Sequence, residues 1–498
     1  MLRFFASLRM TRSEGFAMTH GECQLIYVVQ YNKDVQPRRF HMLLKSLADE
    51  FRSIVGNEWF LDTPEDLATY SYDGFLPEFR PDAVIIPGST DEISKIMRLA
   101  NREGINITPR GAGTNICGGS VPKKGGMIIA FHRMNKILEV DPENRCAVVQ
   151  PGVVNADLQK EVARYGLMYP PDPASMFVST IGGNVALNAG GPRGVKYGVT
   201  RDYLLGLEVV LPSGDVIKTG GKTLKNASGY DLTRLLCGSE GTLGIFTQII
   251  VRLIPLPPAK ATLQAIFSNL DDAAITVSAI ISSGIVPATL ELMDRVVLDA
   301  IGDYGGAKFS KEAEALLLIE VDGEELSVGA QGEKIEKFCK ERGAIEVQRA
   351  SSPEEAERLW QARRTAFGAV ARLRPNCIVE DATVPVKKLS EIIKKIVELA
   401  DKYQLKIAIL AHAGDGNLHP LIMTDLRDKA EMARIDKALE EMYEAAIAMG
   451  GTLSGEHGIG IAKKRFMAME FSESAIEMMR GIKRVFDPNN ILNPGSFI

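Results

Sequence analysis

Apolar residues recur along the chain at two spacings, and the switches between them outline the elements. Leu43, Leu44, Leu47, Phe51 and Ile54 share one face at helical spacing, which predicts a helix over Met42–Ile54. Ile93, Ile96, Met97 and Ala100 do the same for Thr90–Glu103. Leu389, Ile392, Ile393, Ile396, Val397 and Ala400 form the stripe of a third helix. Asp271–Ser282, Pro353–Phe367 and Asp425–Met449 also read as helical. Short apolar runs read as strands: Val84–Pro87, Ile105–Thr108, Met127–Phe131, Ala147–Gln150, Leu207–Leu211, Phe246–Leu253, Leu316–Val321, Ile407–Ala411 and Leu418–Met423. No regular strand–helix–strand repeat emerges, so the expected class is α+β with much antiparallel pairing. Pro255-Leu-Pro-Pro258 reads as a linker after which the texture changes.

Composition narrows the function classes. At 498 residues the chain has room for two to four domains, and 45% hydrophobic with 24% charged residues excludes a disordered chain. A net charge of −5 gives no electrostatic footprint for nucleic acid. The longest uncharged runs, Pro173–Pro192 and Ala273–Leu290, are broken by glycine and proline, so no transmembrane segment is expected. The six cysteines are never closer than the 29 residues between Cys117 and Cys146. That spacing excludes close-set zinc or iron–sulfur motifs and gives no disulfide framework, which fits a reducing compartment. Residues 1–41 carry six Arg/Lys and no sustained period. They read as a poorly ordered extension or an over-long start before Met42, with mitochondrial targeting as the lesser alternative.

Glycine changes the picture more. Half of the 46 glycines, 23, fall within residues 101–250. Gly111-Ala-Gly113-Thr-Asn-Ile116 begins like a dinucleotide fingerprint, but Ile116 occupies the third glycine position and Pro122 opposes a following helix. Gly221-Lys222-Thr223 fails as a phosphate loop because Val216 stands where the first glycine is required. A loop whose successive N–H groups cradle an anion, with Arg110 adding charge, remains. The uncharged stretch Ser179–Gly191 can lie against a flat ligand or can be a tightly packed buried helix start. Gly238–Gly244 is a third glycine block.

Three of the six histidines sit in glycine-rich settings. A hairpin turning on Asp415-Gly416 would pair His412 directly with His419 on one face, where two imidazoles can chelate one metal ion. Glu456-His457 could supply a third ligand, since two histidines with a carboxylate and open positions form a common catalytic metal pattern. The alternative is a histidine pair that only packs and hydrogen-bonds.

These blocks, with the closing Phe486–Gly495, resemble the FAD-linked D-2-hydroxy acid dehydrogenases of the vanillyl-alcohol-oxidase, PCMH-type flavin fold, a family that includes glycolate oxidase FAD subunits and flavin D-lactate dehydrogenases. The resemblance runs from about Leu43 to Ile498. It implies a PCMH-type FAD-binding domain over 42–258, a substrate domain of antiparallel sheet and covering helices over 259–450, and a segment over 451–498 returning to the flavin. It implies FAD contacts at Arg110, Gly111, Ala112, Gly113, Thr114, Asn115, Pro171, Asp172, Pro173, Thr180, Gly182, Gly183, Asn184, Gly190, Gly191, Glu240, Gly244, Ile245 and Asn493. Covalent relatives carry a histidine where this chain has Thr114, so the resemblance implies non-covalent FAD. It further implies metal ligands His412, His419 and Glu456, a catalytic His457, and Arg363 for a substrate carboxylate. The divalent metal would be zinc, iron(II) or manganese. Apolar Phe367 and Val379 stand where relatives handling dicarboxylates have polar residues, which favours D-lactate or glycolate over D-2-hydroxyglutarate. Electrons would pass to a partner: an iron–sulfur subunit, an electron-transferring flavoprotein, a quinone or a cytochrome. The implied setting is cytoplasmic or peripheral at the inner membrane face, with an oligomer open. The competing classes are a nicotinamide dehydrogenase, a scaffold subunit, and a non-redox flavin enzyme of the alkyl-dihydroxyacetone-phosphate synthase type.

Overall fold

The computed structural model describes residues 40–305 and 309–497, with side chains from residue 46. Residues 1–39 of the N-terminal extension lie outside the described residues. Two compact units are distinguished, 1–49 and 50–498. In the first, the described residues open the helix Phe40–Val55. The remaining elements belong to the second unit.

Its first half carries two sheets. Ala83–Ile85, Met127–Ala130 and Ile107–Arg110 form a parallel core with Phe60–Leu61 added antiparallel at one edge. The helix Thr90–Glu103 begins on a Ser89 cap and ends on a left-handed Gly104, and it buries the stripe of Ile93, Ile96, Met97 and Ala100 read from the sequence. Strand Ile107–Arg110 delivers its chain straight into the first glycine loop. The second sheet is antiparallel, in the order Ile137–Asp141, Cys146–Val149, Ile245–Arg252, Leu204–Val210, Val216–Gly220. The expected linker is not free. Ile254–Pro255 pairs with Leu167–Met168 as a two-stranded ribbon, an edge setting in which a proline leaves no ladder donor unpaired.

The second half is one eight-stranded antiparallel sheet. Its order is Ala344–Arg349, Ala259–Phe267, Ala315–Gly323, Thr289–Asp294, Lys406–His412, Asn417–Thr424 and Asn376–Val379, with Ala382–Thr383 also on Asn417–Thr424. Helices Leu270–Ser282, Glu325–Glu341, Leu389–Tyr403 and Lys429–Ala448 bury one face through residues such as Val277, Ile335, Ile396 and Leu439. Helices Arg295–Gly305 and Pro353–Ala371 cover the other, packing Val297, Ile301, Ala366 and Val370 on Met293, Leu410 and Leu421. Because side chains alternate along a strand, His412 and His419 lie on this second face with Leu410 and Leu421.

The His412–His419 hairpin differs from the direct pairing expected. The turn is four residues, Ala413–Gly416, and the register matches His412 with Asn417 and Leu410 with His419. A slip of two residues preserves the face, as a slip of one would not. The histidines therefore meet as diagonal neighbours, ring centroids 4.9 Å apart and edge to face.

Candidate flavin cavity and histidine–carboxylate centre

Three glycine blocks and the histidine face enclose one cavity of about 320 Å³. Arg110–Asn115 form one wall. Arg110 is buried, donates to the Ser120 carbonyl at 3.3 Å and stands 5.6 Å over the Tyr70 ring; burial pulls its pKa below the usual value. Asn115 fixes the turn by accepting from Gly119 N–H at 3.0 Å and donating to Ser120 Oγ at 2.7 Å. Gly111 permits the close approach of the second block: a Cβ there would sit 2.4 Å from Thr180 Oγ1. Thr180 in turn caps the short helix Ile181–Leu187 by accepting from Gly183 N–H. So Ser179–Gly191 does contain a packed helix start, and that same helix lines the cavity through Gly182, Gly183 and Asn184.

Glu240 joins this wall to the C-terminal segment. It is buried at φ +51°, and its two carboxylate oxygens accept from Ile459 N–H and Gly460 N–H, both at 2.7 Å. Burial pushes its pKa up to about 7 despite those bonds. Gly244 and Ile245 also line the cavity. Pro171, Asp172, Gly191 and Asn493 do not; they brace its wall. The Pro171 carbonyl accepts from Asn155, Asp172 takes the Arg193 N–H, Gly191 packs on Asp172, and Asn493 Nδ2 donates to the Gly119 and Glu240 carbonyls.

At the opposite wall His412, His419 and Glu456 converge. Glu456 Oε1 lies 3.4 Å from His412 Nε2 and 3.2 Å from His419 Nε2. One ligand atom from each of the three falls within 4.8 Å of the others, close enough to hold a cation. The second glycine block abuts this group: a Cβ on Gly190 would stand 2.9 Å from Glu456 Oε2. Burial opposes charge on both partners. The two imidazoles nevertheless hold the Glu456 carboxyl well below its usual range, and Glu291 with Glu456 holds His412 well above its own.

Glu291 was not read from the sequence. It sits directly opposite His412 in the register of Thr289–Asp294 with Lys406–His412. It is fully buried, accepts from His412 Nδ1 at 2.7 Å, and thereby aims Nε2 at Glu456. The same carboxylate takes Arg363, at 2.7 Å from Nε and 2.6 Å from Nη2. Arg363 therefore lines the cavity with one guanidinium edge already committed. No spacing rule marks a lone glutamate in Thr-Leu-Glu-Leu-Met-Asp as functional; only strand order brings it to His412.

His457 stacks on His419, with centroids 4.9 Å apart and planes 17° from parallel. Burial pushes its pKa down to about 3 and keeps it neutral. Asp381, Glu380, Lys463 and Tyr443 lie behind it. Lys463 Nζ stands 3.7 Å from Asp381 Oδ2 and 3.9 Å from Glu380 Oε2, and Tyr443 donates to Glu380 at 2.5 Å. Against the effect of burial, Lys463 and His457 hold Asp381 well below the carboxylate range. The rest of the histidine-side wall is apolar: Phe367, Val379, Leu410 and Leu421.

Known proteins resemble the chain over nearly its whole length. A family described as FAD binding domain matches residues 81–220, and one described as FAD linked oxidases, C-terminal domain, matches 256–497. The chain is 50% identical over 456 residues to the Bacillus subtilis glycolate oxidase subunit GlcD, covering 91% of this chain and 97% of that protein. It is 37% identical over 478 residues to a D-lactate dehydrogenase of Anaerostipes hadrus, covering 94% and 98%. Among solved structures, p-cresol methylhydroxylase superposes with a TM-score of 0.74 at 19% identity, over 90% of this chain and 96% of that one, which shows the shared fold.

Proposed function

The chain belongs to the FAD-linked D-2-hydroxy acid dehydrogenases, and from that premise we propose that it oxidises a small 2-hydroxy acid, glycolate or D-lactate, to the 2-oxo acid. FAD-dependent hydroxy acid oxidation is common ground for the family; the substrate, the metal, the base and the acceptor are our reading.

The observation that carries the substrate is the cavity's charge. Among the described lining residues the lysine and arginine side chains are Arg110, on the flavin loop, and Arg363, beside the histidines. One cation faces the substrate end, and the wall beyond it is apolar. A single carboxylate with a hydrogen or methyl on C2 suits that end; a second carboxylate would be desolvated against Phe367, Val379 and Leu421. Glu291 leaves Arg363 its Nη1 side for the substrate carboxylate, so the contact is charge-assisted but not the free bidentate fork.

The uncharged glycine walls and the Gly111–Thr180 contact fit a flat cofactor. FAD, when bound, supplies the two-electron acceptor for the hydride that leaves C2. Arg110–Asn115 would hold its pyrophosphate, and Thr114 offers no ring nitrogen for a covalent link. His412, His419 and Glu456 would hold a divalent metal; two nitrogens and one carboxylate suit zinc, iron(II) or manganese, and such an ion lowers the pKa of a bound hydroxyl. His457, kept neutral, takes the hydroxyl proton. The electrons would pass on to a partner, an iron–sulfur subunit, an electron-transferring flavoprotein or a quinone. No helix among the described residues is long and apolar enough to cross a membrane.

The test is anaerobic bleaching of the flavin absorbance by a panel of 2-hydroxy acids. Glycolate or D-lactate should bleach it fastest, and L-lactate, D-malate and D-2-hydroxyglutarate slowly or not at all. Faster bleaching by D-2-hydroxyglutarate would overturn the reading.

A further inference from the structure

Two buried polar atoms next to the base have no hydrogen-bond partner: His457 Nδ1 and Asp381 Oδ1. Asp381 is fully buried, between the strand Asn376–Val379 and the short strand Ala382–Thr383. Its other oxygen, Oδ2, accepts from Ser454 Oγ at 2.6 Å, Glu456 N–H at 3.1 Å and His457 N–H at 2.9 Å. That oxygen also lies 4.0 Å from His457 Nδ1. The opposite ring nitrogen, Nε2, lies 4.0 Å from Glu456 Oε1, on the side of the ligand group. Stacking on His419 fixes the plane of the ring between them.

We propose that Asp381 is a positioning residue for His457: its carboxylate accepts the Nδ1–H, and so leaves the lone pair on Nε2 for the substrate hydroxyl proton. This rests on His457 being the base. A neutral imidazole carries one N–H and one lone pair, and the partner of one nitrogen decides the state of the other. Behind the ring, the buried Asp381 carboxylate stands 4.0 Å from Nδ1. Closing 4.0 Å to a hydrogen bond takes a movement of about 1 Å, and catalytic contacts are commonly longer in the free enzyme than in its complexes. The pinned backbone N–H groups of Glu456 and His457 keep the carboxylate registered to the ring while the side chain makes that movement.

In the step itself the hydroxyl O–H bond breaks, an Nε2–H bond forms, and the hydride leaves C2 for the flavin. Asp381 stays ionised beside the new imidazolium, with Lys463 Nζ 3.7 Å from its Oδ2. A different use of the same atoms is a second cation site, because Asp381, His419 and His457 also lie within ligating distance of one another. That arrangement would consume the lone pair of the base, and metal content separates the two.

The experiment compares Asp381→Asn with the unsubstituted flavin-loaded, zinc-supplied protein. Asparagine keeps an acceptor for the backbone N–H groups but reduces the ring's claim to the Nδ1–H tautomer. Flavin reduction should slow by about 10²–10⁴-fold, as when an orienting carboxylate is amidated elsewhere. KM, flavin content and zinc per chain should stay unchanged. Histidine ¹⁵N spectra of the unsubstituted protein, with His457 assigned by its loss in His457→Ala, should show a protonated Nδ1 and a bare Nε2. Reduction within about threefold of normal, loss of zinc from Asp381→Asn, or a bare Nδ1 would each overturn the proposal. The spectrum decides alone if Asp381→Asn does not fold. Full turnover by His457→Ala would instead remove the base reading on which the proposal rests, whereas a dead His457→Ala beside a near-normal Asp381→Asn rejects Asp381 alone.

Discussion

The two walls of the cavity are built by opposite means. The proposed flavin wall is backbone: glycine loops brought into contact, a capped helix start, and few charges. The histidine wall is side chain: His412, His419, Glu456, His457, Glu291 and Arg363, brought together by neighbouring antiparallel strands, one loop and the helix Pro353–Ala371. The first shapes a space and the second sets protonation and charge. Damage to the first should therefore lower cofactor affinity, and damage to the second should stop chemistry with the cofactor still in place.

His457→Ala is expected to break the histidine wall most. Loss of a general base typically costs about 10²–10⁴-fold, so anaerobic flavin reduction should fall by that factor while the bound flavin spectrum persists. Flavin loss from this variant would merge the two walls into one unit. Glu291→Gln comes next. It weakens the aim of His412 and releases Arg363, so metal affinity, read by titration into stripped protein, should fall by about 10–100-fold. A normal metal affinity would mean that the opposed pairing of Glu291 with His412 is packing alone.

Gly111→Ala tests the flavin wall. Its Cβ would meet Thr180 Oγ1, and overpacking by one methyl costs about 1–3 kcal/mol. The FAD dissociation constant should rise roughly ten- to a hundredfold, with the reduction rate of the flavin-loaded fraction nearly unchanged. The smallest effect lies outside both walls. Asp294 is buried, accepts from Val297 and Ile409 N–H, and burial raises its pKa to about 7. Its neutral form is favoured in the fold, so its stabilisation is complete below the unfolded carboxyl range and is lost as pH rises through about 7. Asp294→Asn should flatten the decline of Tm across that window; an unchanged slope would assign the decline to other groups.

The same contrast explains what the sequence revealed. Backbone walls leave contiguous marks: Arg110–Asn115 and Gly244-Ile245 line the cavity throughout, and Thr180, Gly182, Gly183 and Asn184 line it from one short run. Helix Thr90–Glu103 was legible to the residue because its cap, stripe and terminal glycine agree. Side-chain walls leave the groups in glycine-rich stretches, His412, His419, Glu456 and His457, while Arg363 is marked by the resemblance alone. Glu291 and Asp381 have partners 121 and 76 residues away along the chain, so only the fold reveals them. The central strand Thr289–Asp294 escaped notice for the same reason, since Glu291 and Asp294 break the apolar run that a buried strand should show. Asp415-Gly416 favours a two-residue hairpin locally, but the whole sheet sets the register and gives a four-residue turn at Ala413–Gly416. The Pro-rich 255–258 segment read as a linker because proline marks chain breaks, although an edge ribbon accepts one.

The central claim is that chemistry at the flavin depends on a metal held by His412, His419 and Glu456. The direct measurement is single-turnover flavin reduction by D-lactate or glycolate, before chelation, after it, and after metal is restored, with flavin content followed throughout. The account predicts that chelation abolishes bleaching without releasing FAD and that zinc, iron(II) or manganese restores it. Bleaching at the full rate by protein shown to be metal-free would contradict it.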